Sequence, residues 1–309
     1  MSAVISIGEW TRRQYLSSGS QAQREKSAID TLADMLEGGS DPATAARTIT
    51  ALYEPYIDND KENYVVCNLW GKICSAIRTF GSDTKHTERL VDMFKTISDL
   101  RMLDDDGEIM IVAGMEYWSS LPWFGMIFRE DCVGKLYHQL STFSLLLTRS
   151  SRALDLNFDE LEEDERRTEV AALLNSAHFA ATYWRRYGTA VDFLTIGTIS
   201  NGVEDDIKTQ EELEEASIYV PPAATWILVA GDFIFDCCRQ NFERRPYQGP
   251  SFSKTNLFKG DKGYSMERWA FWKQRFSEIA HMENVGAYAR DFALRAFDEM
   301  VRVEHSQIQ

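Results

Sequence analysis

The run YVPPAATWILVAGDFIFDCC, Tyr219 to Cys238, constrains the fold of this chain more than any other stretch. It is apolar on every side of a helix, so it belongs inside something. A membrane-spanning helix needs about 20 consecutive apolar residues. Here Asp232 interrupts the run, and Arg239 follows Cys238 directly. The sequence therefore predicts a buried core helix and no membrane span. Pro221 and Pro222 suit a helix entrance better than its interior, because proline lacks the N–H that a helix interior uses. Asp232 then has two readings. It is a carboxylate at the edge of the core that meets an arginine, or an unpaired acid in an apolar pocket whose raised pKa suits it to proton transfer.

Helical spacing dominates the rest of the chain, and period-2 alternation is almost absent. Ile29, Leu32, Ala33 and Leu36 share one face, Gly38 and Gly39 end that helix, and Asp41 with Pro42 opens the next. Further helices are predicted near 64–80, 90–100, from Pro122 to about Arg149, through an acidic-headed stretch ending at Tyr187, to Ser200, from the proline pair onward, from Ser265, and near 283–305. The expected fold is all-α, about a dozen helices packed as antiparallel pairs with no sheet. Its expected lobes are residues 1–150 and 151–309, sharing one continuous core.

Of the 309 residues, 44% are hydrophobic and 26% charged, the balance of a globular chain. The net charge of −15 opposes nucleic-acid binding, which depends on cations that neutralise phosphates. The charge is uneven: residues 155–215 hold 16 acidic and 5 basic residues, and residues 239–275 hold 9 basic and 3 acidic. Such opposed faces complement each other within one fold or between two copies. Five cysteines without a C-x-x-C pair, no Asn-x-Ser/Thr site and no basic-then-apolar leader predict a cytoplasmic protein with free thiols.

Candidate chemistry is sparse. Asp104 to Glu108, DDDGE, has the D-D-x-x-E spacing with which helical terpene cyclases bind diphosphate through magnesium, but the downstream partner motif is missing and a helix-to-helix turn explains it. Glu278-x-x-His281 has the spacing of one half of a di-iron site without its second half, and the remaining histidines lack zinc-site neighbours. No metal and no cofactor are expected. Beside Asp232, the catalytic candidates are Glu116, Arg129 and His178, the last being more simply a core histidine bonded to a carbonyl. Trp118, Trp123, Trp184, Trp226 and Trp272 either form core or line a cavity for an apolar ligand. The nucleophile elbow, the P-loop and the dinucleotide fingerprint are all absent.

Three stretches, LPWFGMIFRE at 121–130, YVPPAATWILVAGDFIFDC at 219–237 and RWAFWKQRFSEIA at 268–280, resemble a family of filamentous-fungal proteins catalogued as a domain of unknown function, number thirty-six thirty-two. The resemblance spans most of the chain. It implies an intracellular, all-helical protein and supplies no active-site residues. Two functions are then expected from different classes: an interaction or scaffold protein that associates with itself or a protein partner, or an enzyme or carrier with an aromatic-lined pocket for an apolar small molecule of fungal specialised metabolism.

Overall fold

The computed structural model describes residues 5–17, 22–57, 64–104, 106–112, 114–132, 163–188, 193–242, 257–260 and 263–306. Among them the chain is all-α, with twelve α-helices, one 3-10 turn and a strand pair of two residues each. The chain forms two compact units, Met1–Phe179 and Ala180–Gln309.

The first unit is built from α1 (Ile7–Ser17), α2 (Ala22–Glu37), α3 (Pro42–Ala51), α4 (Glu54–Ile57), α5 (Tyr64–Phe80), α6 (Thr84–Asp99), α7 (Phe124–Cys132) and the start of α8 (Glu163–Tyr187). Its starts follow from capping. The Asp41 side chain accepts from the Thr44 N–H ahead of Pro42, and Asp83 accepts from the His86 N–H at the head of α6. α3 packs on α6 and α5 on α7. Between them lies an aromatic core: Trp70, Phe94, Phe124 and Phe179 meet ring to ring, with Phe94 and Phe124 centroids 4.3 Å apart. Tilted and edge-on pairs of this kind add to the stabilisation from burial alone.

Between α6 and α7 the chain makes a small meander. Met110 N–H donates to Met102 O at 2.8 Å, and Tyr117 N–H donates to Met110 O at 2.9 Å. The middle of the meander holds β1 (Ile111–Val112), which pairs antiparallel with β2 (Met115–Glu116). Asp104 and residues 106–108 of DDDGE thus lie in a loop between two short extended segments, not in a helix-to-helix turn. α7 begins at Phe124, after Leu121 and Trp123 adopt left-handed backbone around Pro122. Residues 133–149 of the helix expected there lie outside the described residues.

The second unit contains the end of α8, α9 (Phe193–Val203), α10 (Gln210–Arg239), α11 (Met266–Ala280) and α12 (Ala287–Ser306). α10 packs against α9 and α12, and α11 against α12 and α9. α10 corrects one expectation. A reciprocal capping box starts it at Thr209 and Glu212, so the proline pair sits inside one helix of 30 residues and not at its entrance. The Thr209 cap supplies a start signal in the acidic stretch ahead of the apolar run. Proline then removes only the N–H bonds back to Ser217 and Ile218, and the buried surroundings hold the helix together. By length and composition α10 could cross a membrane, yet 72% of its most apolar window is buried inside the protein.

Candidate functional site

The helix through the apolar run breaks once, at Ala230, whose φ of −130° and ψ of 22° are non-helical. Breaking the ladder frees backbone N–H groups just downstream. Asp232 sits there. Its Oδ1 accepts the Phe233 N–H at 2.9 Å, and its Oδ2 meets Arg185 Nη2 of α8 at 2.7 Å. The carboxylate is 43% exposed. Asp232 is therefore a half-exposed, paired acid that stitches a helix break to α8, and the unpaired pocket acid has no counterpart here.

The other candidates are engaged as well. His178 on α8 is mostly buried, and its Nδ1 lies 2.9 Å from Gly81 O. A carbonyl only accepts, so Nδ1 carries a proton in this contact. Burial pulls its pKa below the ordinary 6.5, opposed by the Gly81 bond. The residue is the carbonyl-bonded core histidine. Glu116 on β2 lies 3.6 Å from Arg101 across the exposed meander, and Arg129 sits half-buried on α7.

The tryptophans divide between the units. Trp118 is fully buried and donates Nε1–H to Glu54 at 2.9 Å, while Trp123 is 39% exposed. In the second unit Trp184 and Trp226 are buried with ring centroids 6.0 Å apart, and Trp272 donates to Glu204 at 2.6 Å. Trp10, Trp70 and Trp269 likewise donate to Ser75, Pro122 O and Glu304. All but Trp123 are core, and the indole N–H groups of Trp10, Trp70, Trp118, Trp269 and Trp272 find their acceptors within it.

The charged centre that the sequence did not single out is Glu204, only 1% exposed at the end of α9. Arg268 on α11 grips it with Nε to Oε1 at 2.8 Å and Nη2 to Oε2 at 3.0 Å, the two-point fork that guanidinium and carboxylate geometry favours. Arg268 also donates to Ser200 Oγ at 2.9 Å and lies over the rings of Phe258 and Trp272. Nearby, Arg275 donates to Val203 O and Asp205 O, closing the C-terminal end of α9. The signal that could have found the cluster was Arg268, Trp272 and Arg275 on one face of α11. A periodicity reading counts Trp272 as core and assigns the two arginines to the surface.

Among the described residues, no group of three or more His, Cys, Asp or Glu side chains could hold a metal ion. Glu278 bonds Arg275 and Gln274 instead, and His281 Nδ1 bonds Ser277 O. All five cysteines are free thiols. Burial pushes Cys237 up to about 11 and Cys238 up to about 12, so both stay protonated and unreactive near neutrality.

An all-helical protein of two aromatic-cored units, each tied by internally paired carboxylates, is the class that this arrangement defines. The chain belongs to the family described as protein of unknown function (DUF3632), whose pattern matches residues 70–276. The matched stretch runs from Trp70 in the first aromatic core to Phe276 on α11, and so includes the whole Glu204–Arg268 cluster. No curated protein and no solved structure matches this chain.

Proposed function

We propose that this chain is an interaction protein, a helical platform that associates with other protein surfaces. One observation carries the reading. The described side chains best suited to chemistry, Asp232, His178 and Glu204, are each held by an internal partner that fixes the fold. Proton transfer and nucleophilic attack need a group with an open valence toward a substrate. The indole N–H groups of Trp118 and Trp272 are similarly directed at carboxylates of the chain itself, Glu54 and the buried Glu204. Five free thiols support a reducing compartment, the cytoplasm, as the place of action.

The test is native mass spectrometry of the protein purified from its source, against its denatured mass. The expected result is the bare chain mass or multiples and protein complexes of it. A stoichiometric small molecule retained by the chain would replace this reading with that of a carrier or enzyme for an apolar ligand. Asp232→Asn adds a second arm: it leaves assembly unchanged, and a loss of ligand binding at unchanged stability would count against the interaction reading.

A further inference from the structure

The meander between α6 and α7 has one face on the core and one in solvent. Met102 and Tyr117 are buried beneath it. Leu103 pairs with Ile109 and Ile111 with Glu116, and alternation along a strand puts these four side chains on the outer face. Leu103 is 57% exposed and Ile111 58%. The Arg101–Glu116 pair closes one end of this aliphatic face. At the other end lies the loop that carries Asp104, Asp106 and Glu108, all exposed. The Asp104 carboxylate accepts two N–H groups of that loop, and among the described residues none of the three carboxylates forms an ion pair.

The edge of the meander beside this face is open. The ladder bonds on either side of Leu103 run inward: Met110 N–H donates to Met102 O and Asp104 N–H donates to Glu108 O, each at 2.8 Å. Leu103 and Ile109 are thus a non-hydrogen-bonded antiparallel pair, in which each residue's own N–H and C=O point away from the other strand. Leu103 is on the outermost strand, so its N–H and C=O point off the edge. Among the described residues neither has a hydrogen-bond partner. An unpaired edge is where an extended segment adds a strand, main-chain bonds supplying attachment and alternate side chains supplying choice.

We propose that this edge receives an extended, cationic segment of another protein. One apolar residue of the segment sits opposite Leu103, exchanges both main-chain bonds with it and lays its side chain on the aliphatic face; lysines or arginines flanking it meet Asp104, Asp106 and Glu108. Charge selects this occupant. An acidic rim without internal counter-charges attracts a basic strand and repels an acidic one. The net charge of −15 opposes the approach of a second copy and of nucleic acid, and assists that of a basic segment. This rests on the interaction reading above and names its partner's chemistry.

The test uses the full chain and, as probe, a capped heptapeptide of alternating lysine and valine. Fluorescence anisotropy reads its affinity, and hydrogen–deuterium exchange reads where it sits. The peptide is expected to slow exchange in the segment 101–104 and to bind more weakly at about 0.15 M than at about 0.01 M salt. Asp106→Lys with Glu108→Lys is expected to weaken binding at least about tenfold; Glu211→Lys with Asp298→Lys, the same change of charge at exposed positions of α10 and α12, leaves it within about threefold. Leu103→Pro removes the outward N–H and keeps both inward bonds, so binding is expected to fall at least about tenfold with circular dichroism unchanged. N-methylation of the three valines asks the same question from the peptide side without altering the protein or the charge, and the same loss is expected. Equal binding by the N-methylated peptide or by the Asp106/Glu108 variant, protection elsewhere than 101–104, or no binding at about 1 mM peptide would overturn the proposal. Protection of 101–104 that grows with protein concentration alone would assign the edge to a second copy; it overturns the proposal and leaves the interaction reading standing. No peptide binding together with a stoichiometric small molecule retained by the chain would overturn both.

Discussion

Two carboxylates show how differently residues of one type can weigh in a fold. Asp232 is conspicuous in the sequence because it interrupts an apolar run, yet it is 43% exposed and its arginine partner 52%. Ion pairs in that setting contribute about 0–1 kcal/mol. Asp232→Asn keeps an oxygen for the Phe233 N–H, so the expected loss in urea-unfolding free energy is at most about 1 kcal/mol. Glu204 is inconspicuous in sequence and nearly inaccessible in the structure, with Arg268, Trp272 and Ser200 arranged around it. Glu204→Gln leaves a buried guanidinium without its counter-charge, and the expected loss is about 3–5 kcal/mol. Equal losses for the two variants would contradict this account. His178 supplies a pH signature. Its folded pKa lies below 6.5 because burial disfavours the imidazolium. The unfolded chain therefore binds the extra proton more readily, so the stability contributed by the neutral ring is complete above about 6.5 and is lost as pH falls from there through the lowered folded value. In His178→Gln the amide can still donate to Gly81 O, and the urea midpoint is expected to fall less steeply between about pH 7 and pH 5. Parallel profiles for the two proteins would show that His178 does not titrate this way.

At the scale of the element, α10 separates what pattern reveals from what it hides. Its apolar run was legible as a core helix, and Asp41 and Ser265 were readable as caps because capping is a local bond between near neighbours. The start at Thr209 was hidden. The capping box is present in the sequence, but a polar stretch followed by two prolines reads as a connection leading to a new helix, and only burial on α9 and α12 outweighs the two missing backbone bonds. The meander was hidden for a related reason: strands of two residues are too short to display alternation. Helix packing also fixes Gly202. A Cβ there would lie 2.4 Å from the Ala223 Cβ and 2.7 Å from Tyr219 O, which as backbone of α10 cannot turn aside. Gly202→Ala is expected to cost about 1–3 kcal/mol by forcing α9 off α10, even though alanine is the better helix former. A calorimetric midpoint at or above that of the wild type would refute the close packing.

For the whole molecule, a net charge of −15 and an isoelectric point near 4.8 set how the chain responds to salt. Like charges in a compact body repel, and folding brings them closer than they stand in the unfolded chain. Screening that repulsion favours the folded state. Diluted to where it is monomeric, the protein is expected to melt a few degrees higher at about 0.15 M salt than at about 0.01 M, a shift equivalent to about 1 kcal/mol for a chain of this size. A fall in melting temperature with salt would mean that ion pairs such as Arg78–Glu169 and Lys273–Glu304 outweigh the general repulsion, and that the acidic excess is already balanced within the folded chain.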